Sequence, residues 1–453
     1  MIERKPEKLI SFHMMKYIRP IWYFHLKPNI GGDVWGSYDS LSIRQKKIIQ
    51  YDKNYSNEMI SCWDASFQAL MKGIIVDERM YSNQQIGKLK AIDLYRFLRK
   101  YYKSFWVYAT FIQRLFLLYN PLVDLLALLK TRNIQRMNIF KEPYNFKSYP
   151  KFESTLIKSN PMLSIVIPTY NRYTSLVDLL KDLQKQIYIN FEVIIIDQSD
   201  PFNEDIYKKI NFKHTIIRQN KPELWRARNR GVEIAKSDYI LLLDDDSRIE
   251  SDWILEHLKC LDYFQADISS GVSFSEVGDK IPENYYYFRY SDQLDTGNVL
   301  IKKQVFIKSG LFDQNFEKMR MGDGEFGLRT YLNGFKNISN PKAFRKHLKI
   351  AKGGLRAFGH WDGYRTKHIF SPRPVPSVLY FYRKYWGSKA ALFSVLYDIP
   401  FSFSPYYLKG TKIGYMLSLI IFILFFPFII FSVIFSFRIS TKMLKLNNNI
   451  KYL

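Results

Sequence analysis

Short apolar runs, each closed by polar residues, mark the middle of the chain. Leu163-Ser-Ile-Val-Ile-Pro168, Phe191-Glu-Val-Ile-Ile-Ile-Asp197, His214-Thr-Ile-Ile-Arg218 and Tyr239-Ile-Leu-Leu-Leu243 each read as a strand. Leu176, Leu179, Leu180, Leu183 and Ile187 recur at helical spacing after the first strand, and a helix is expected around Ala227–Ala235. Strands alternating with helices predict parallel neighbours joined by right-handed crossovers, an α/β, Rossmann-like fold. In such open sheets the ligand lies off the carboxyl ends of the strands. The fourth strand ends in Asp244-Asp245-Asp246, and Tyr170, Asp197 and Arg228 also follow strand ends. Alternation along a strand predicts Asp244 and Asp246 on one face and Asp245 on the other. Two carboxylates on one side of a sheet rim suit a divalent cation. A solvated strand end is the plainer alternative for the three acids alone.

The flanks are patterned differently. Residues 1–155 are expected to be mainly helical, with Ile92, Leu94, Tyr95 and Leu98 at helix-like spacing. Trp22, Tyr23 and Phe24, beside Arg19, His25 and Lys27, predict a small core with a basic rim in preference to a membrane-facing patch. Phe105–Tyr119 and Leu122–Leu129 are strongly apolar, but Gln113, Arg114, Asn120, Pro121 and Asp124 interrupt them. That falls short of the roughly 18 clean residues of a spanning helix. A helical face that packs on a domain or lies in the bilayer interface fits better. Residues 132–151 read as a polar linker.

Beyond a central domain at 161–370, residues 371–453 carry membrane signals. Tyr380–Trp386 mixes aromatics with Arg383 and Lys384, as an interfacial helix would. Ile413–Phe437 runs without a charge, enough to cross a hydrocarbon core of about 30 Å. Pro427 at its midpoint leaves two readings open, a single span and a re-entrant hairpin.

A formal charge of +25 calls for an anionic partner. Membrane attachment explains it better than nucleic acid, because anionic lipid attracts juxtamembrane Lys and Arg. No nucleic-acid partner is expected. Cys62 and Cys260 are too few and too far apart for a disulfide framework or a zinc site. Met1–Lys8 is followed by no apolar stretch of signal-peptide length, so the cytoplasm is the expected compartment.

Four motifs, in order, resemble those of the family 2 glycosyltransferases. They are Pro168-Thr-Tyr-Asn-Arg172, Ile196-Asp-Gln-Ser199, Ala227-Arg-Asn-Arg-Gly231 and Leu243-Asp-Asp-Asp246. The likeness runs from about Leu163 to Arg356 and implies an inverting enzyme of GT-A fold. Such enzymes use a nucleotide-sugar donor and Mg²⁺ or Mn²⁺. It implies donor contacts from Pro168, Thr169, Tyr170, Arg172, Asp197, Arg228, Asp244 and Asp245. Tyr170 would stack on the base, and Asp197 would accept from uracil N3–H, which favours a UDP-sugar. Arg228 brings a donor fork suited to the base or the diphosphate. Asp246, with Asp244 nearby and His347 downstream, would hold the metal.

The resemblance also places the general base on Asp323, in Met321-Gly-Asp-Gly-Glu325, with Glu325 as the fallback. The family usually writes this site Glu-Asp; here Gly322 stands in place of the Glu. Asp323 is equally suited to capping the helix that follows. The Tyr285-Tyr-Tyr-Phe288 run is open between a sugar-stacking surface and a strand, and His360-Trp361 is a candidate cover for the donor. The implied activity is transfer to a glycan or lipid-linked acceptor in surface-polysaccharide synthesis. The expected location is the inner (cytoplasmic) membrane, with the catalytic domain facing the cytoplasm. The competing reading is an inactive glycan-binding or scaffold subunit, with Gly322 as its first sign.

Overall fold

The computed structural model describes residues 23–26, 36, 38–76, 89–275, 281–350, 353–354, 363–364, 371–446 and 450–453. Trp22, Arg19, Lys27, Arg356, His360 and Trp361 lie outside them. The chain forms two compact units, Met1–Lys147 with Tyr286–Tyr290, and Ser148–Tyr285 with Ser291–Leu453.

In the first unit the helices are Glu58–Met71 (α1), Ala91–Tyr101 (α2), Ser104–Phe116 (α3) and Pro121–Lys130 (α4). Leu41, Ile49, Ala65, Ala69 and Ile74 form one apolar cluster. Tyr23 and Phe24 are buried, as a small core requires. Asp64 is fully buried, and Lys100, Tyr55, Tyr101 and Gln68 all donate to it. A carboxylate this deep persists only when paired and hydrogen-bonded. Tyr287 and Tyr290 donate to the carbonyls of Met71 and Val76, so these rings serve packing within this unit.

The second unit is built on a mixed sheet. Its strands are Leu163–Thr169 (β1), Phe191–Asp197 (β2), His214–Arg218 (β3), Tyr239–Leu243 (β4), Ser247–Ile249 (β5), Ile268–Phe274 (β6), Asn298–Lys302 (β7) and Asn337–His347 (β8). They are ordered β3-β2-β1-β4-β7-β6-β8-β5. The first four are mutually parallel, as the alternation of strands and helices predicts. β7 is antiparallel to both β4 and β6. The β1 and β2 strands are buried along their whole length, which is why they read as continuous apolar runs. Tyr173–Gln184 (α5), Leu224–Ile234 (α6), Trp253–Tyr263 (α7), Lys303–Ser309 (α8) and Gly322–Leu332 (α9) connect and cover the strands. Because β2 and β3 lie on one side of β1 and β4 on the other, the strand order reverses at β1. The crevice off the carboxyl ends of β1 and β4 is therefore the switch point where ligands bind in such sheets.

The C-terminal helices are Pro376–Asp398 (α10), kinked at Gly387, then Lys412–Leu424 (α11) and Phe426–Lys445 (α12). The Tyr380–Trp386 turn is not interfacial as expected. Tyr380, Phe381, Tyr382 and Trp386 are buried, and Tyr380 Oη donates to Asp313 at 2.6 Å. Arg383 is committed to the end of α12, donating to the Phe437 carbonyl and to the Ser440 and Thr441 hydroxyls. Ile413–Phe437 is not one continuous helix either; it breaks at Phe425, next to Pro427 in the first turn of α12. The helix Phe426–Lys445 is long and apolar enough to cross a membrane by length and composition.

Candidate active site

Backbone geometry first decides where the three aspartates go. The β4 ladder stops at Leu243, and Asp244–Asp246 turn toward β5. The period-2 alternation expected of them belongs to extended backbone and lapses here. Asp244 separates from its neighbours, with its carboxylate 2.6 Å from Arg228 Nη2 and 3.1 Å from Arg345 Nη1. Asp245 and Asp246 instead share Arg172, whose Nη1 lies 3.3 and 2.8 Å from them. Asp244 and Asp246 therefore do not face each other as the alternation predicts; of the expected ligands Asp246 lies beside His347, whose Nε2 is 3.3 Å from Asp246 Oδ2. That imidazole nitrogen is buried and has no hydrogen-bond partner. Among the described residues, no cluster of three or more His, Cys, Asp and Glu is arranged to hold a metal ion.

Burial, followed by repulsion from Asp246, pushes the Asp245 carboxyl up to about 7 despite Arg172 and the Thr169 hydroxyl at 2.8 Å. The Arg172 side chain is itself clasped, with Nη2 donating to the Ile350 carbonyl at 2.9 Å. Gly354, at φ +76°, lets the chain pass against the guanidinium, since a Cβ there would lie 2.3 Å from Arg172 Cζ.

One cleft gathers Pro168, Tyr170, Arg172, Arg228, Asp244, Asp245, Asp246 and Asp323 among its lining residues. Four expected residues do not line it. Thr169 is buried beneath and donates to Asp245. Asp197 is fully buried, with Tyr173, Tyr207 and the Ser199 amide all donating to its carboxylate. His347 sits behind Asp246. Glu325, the fallback base, points into the protein: Arg329, Lys384 and Tyr385 donate to it, and its carboxylate is fully buried. Burial alone would raise its pKa; Arg329 and Lys384 overcome that and bring it down to about 2. A carboxylate so committed is a poor proton acceptor for a substrate. Glu325→Ala is expected to destabilise the fold by about 3–5 kcal/mol, because Arg329 and Lys384 lose their buried partner. Chemical denaturation in detergent checks this.

Asp323 is exposed in the first turn of α9, with one carboxylate oxygen accepting from the Gly324 amide at 2.8 Å. The loop that delivers it is strained: Lys318 and Met321 have φ of +58° and +80°. Left-handed backbone at non-glycine residues costs on the order of 1–3 kcal/mol each and tends to be kept at working sites. Gly322 also has a physical reason. A Cβ there would lie 2.3 Å from Cζ2 of Trp225, whose Nε1 donates to the Phe316 carbonyl at 3.1 Å. The indole fills the space beside position 322, so a Glu there has no room. Gly322→Ala is accordingly expected to displace the loop and lower turnover by about 10²-fold, the usual cost of a misplacement near 1 Å. A kcat at the native level would show that the indole yields freely.

Trp225, Asp295 and Arg345 were not foreseen. Arg345 is almost fully buried and bridges Asp244 to Asp295, with Ser247 and Ser273 as further partners. Arg345 and His347 stand two apart on β8, so strand alternation places them on one face. The flagged histidine was therefore the available signal.

A parallel β3-β2-β1-β4 half-sheet, continued by antiparallel strands and carrying its acidic turn at the switch point, defines a GT-A α/β domain. Residues 164–315 match the family described as glycosyl transferase family 2. The chain is 27% identical to a chondroitin synthase of Escherichia coli over 49% of its own length and 39% of that protein. It is 25% identical to the glycosyltransferase GlyG of Streptococcus pneumoniae serotype 4, over 50% of this chain and 72% of that one. With the amylovoran biosynthesis glycosyltransferase AmsB of Erwinia amylovora it shares 23% identity, over 47% of this chain and 77% of the relative.

Proposed function

We propose that this protein is a metal-dependent, inverting glycosyltransferase that moves a sugar from a nucleoside diphosphate to a glycan or lipid-linked acceptor. The observation that carries this is the cleft in which Arg172, Arg228, Asp246 and Asp323 meet at the switch point. Pro168 and Tyr170 give the nucleotide an apolar, aromatic wall. Arg172 and Arg228 each keep an Nε–H without a partner, so each has donor capacity beyond its aspartate. Asp323 accepts the proton of the acceptor hydroxyl as that oxygen attacks the anomeric carbon. The bond to the diphosphate breaks in the same displacement, its electron pair leaves with the nucleotide, and the configuration inverts.

Asp246 and His347 are the residues that would hold Mg²⁺ or Mn²⁺. One observation supports the fit: His347 Nε2 is buried beside Asp246 without a hydrogen-bond partner. A bound ion supplies counter-charge to the departing diphosphate, where charge grows in the transition state.

The relatives named for chondroitin and amylovoran synthesis support a place in polysaccharide assembly. The apolar helix Phe426–Lys445 and the charge of +25 support work at the inner membrane from its cytoplasmic face. The test is a panel of nucleotide sugars, UDP-sugars first, assayed for nucleoside diphosphate release with Mn²⁺ or Mg²⁺ and a lipid-linked acceptor extract. One donor should turn over, and EDTA should stop it. Release from none of them would refute the reading.

A further inference from the structure

The helical pair Ser104–Phe116 and Pro121–Lys130 is turned inside out for a hairpin that lives in water. Among its buried positions are small or polar residues: Ala109, Thr110 and Gln113 on α3, Asp124 and Ala127 on α4. Its outward positions carry Phe105, Ile112, Phe116, Leu122, Leu126 and Leu129, each at least 51% exposed. A soluble helix does the reverse, and an exposed apolar patch of this extent marks an interaction surface.

From Ser104 to Leu129 the charged residues are Arg114 and Asp124, and they neutralise each other. Arg114 Nε lies 2.9 Å from both oxygens of the buried Asp124 carboxylate, and its guanidinium stacks on Tyr119 at 3.9 Å. Basic side chains resume at the open end of the hairpin, where Lys103, Lys130 and Arg132 are all exposed. The two helices have 13 and 10 residues. At about 1.5 Å per residue they reach roughly 20 and 15 Å, well short of the ~30 Å hydrocarbon core.

We infer that this hairpin is a membrane-contact element that enters one leaflet of an anionic bilayer and does not cross it. Phe116 to Leu122 at the closed end go into the acyl region, while Lys103, Lys130 and Arg132 stay among the phosphate headgroups. The internal Arg114–Asp124 pair lets the hairpin enter hydrocarbon without a bare charge. Charge complementarity selects lipid over a second copy of the chain, since two basic ends brought together would repel. The inference stands apart from the glycosyltransferase reading and from the C-terminal helices.

The test uses the full chain carrying Cys62→Ser, which leaves the buried Cys260, with Leu122→Cys added as the accessible cysteine and labelled with an environment-sensitive fluorophore. The protein is reconstituted into phosphatidylcholine–phosphatidylglycerol vesicles with or without bromine on the acyl chains. A roughly twofold or greater loss of emission with brominated lipid is expected at Leu122. A label at Ile43, an 80% exposed residue of the same unit, should be unaffected. Water-like, unquenched emission at Leu122 overturns the inference. So does a blue-shifted emission that bromine leaves intact, which would mean that protein, another copy or residues 1–22, covers the face. A melting temperature matching the unlabelled protein confirms that each variant is folded.

Discussion

Asp323→Asn is expected to cut transfer by about 10²–10⁴-fold, the usual contribution of a positioned general base. Nucleotide binding should stay close to native. The substitution preserves shape and removes the basic oxygen, so the loss should fall on kcat and leave KM for the donor nearly unchanged. Asp323 sits exposed in the first turn of α9 and touches no ion-pair partner among the contacts described, so its removal leaves no buried charge stranded. This distinguishes it from Glu325, whose loss should appear as instability. Steady-state kinetics with the donor picked out by the sugar panel measure the effect. Transfer at the native rate would remove Asp323 from the reaction.

Asp246→Asn is the second large effect. Its carboxylate lies beside both Arg172 and His347, so the amide removes the charge that would anchor a cation against the diphosphate. Counter-charge of this kind is worth several kcal/mol in the transition state. At 1.36 kcal/mol per tenfold, turnover should drop on the order of 10³-fold. Unlike Asp323→Asn, this variant should lose metal-dependent nucleotide binding as well as rate. Asp246→Asn with undiminished turnover would assign the acidic turn to structure alone.

The part of the fold legible in the sequence was the part governed by local pattern. The runs at Leu163, Phe191 and Tyr239 became parallel strands buried on both faces, which is why they are mostly apolar, while the run at His214 became the partly exposed edge strand beside them. What pattern could not carry was where alternation ends. The ladder stops one residue before Asp244, and that single step regroups the aspartates around Arg228 and Arg172. Long-range partners were likewise hidden. Arg345 meets Asp244 from 101 residues away, and nothing local to either residue announces it. Gly322 looked like decay beside the family's usual Glu-Asp. Trp225, far off in sequence, shows it to be a steric requirement. At the C-terminal end, the aromatics of Tyr380–Trp386 had the composition of an interfacial helix, yet Asp313 and Glu325 draw that turn into the interior.

The central claim is that the acidic turn, Arg172 and His347 form a metal–diphosphate site. Calorimetric titration of UDP into the purified protein tests it most directly, with Mn²⁺, with EDTA, and in Asp246→Asn. UDP should bind at least about tenfold more tightly with Mn²⁺ than with EDTA, a gap of about 1.4 kcal/mol or more, and Asp246→Asn should erase that gap. Equal affinity with and without the metal in the native protein would contradict the account.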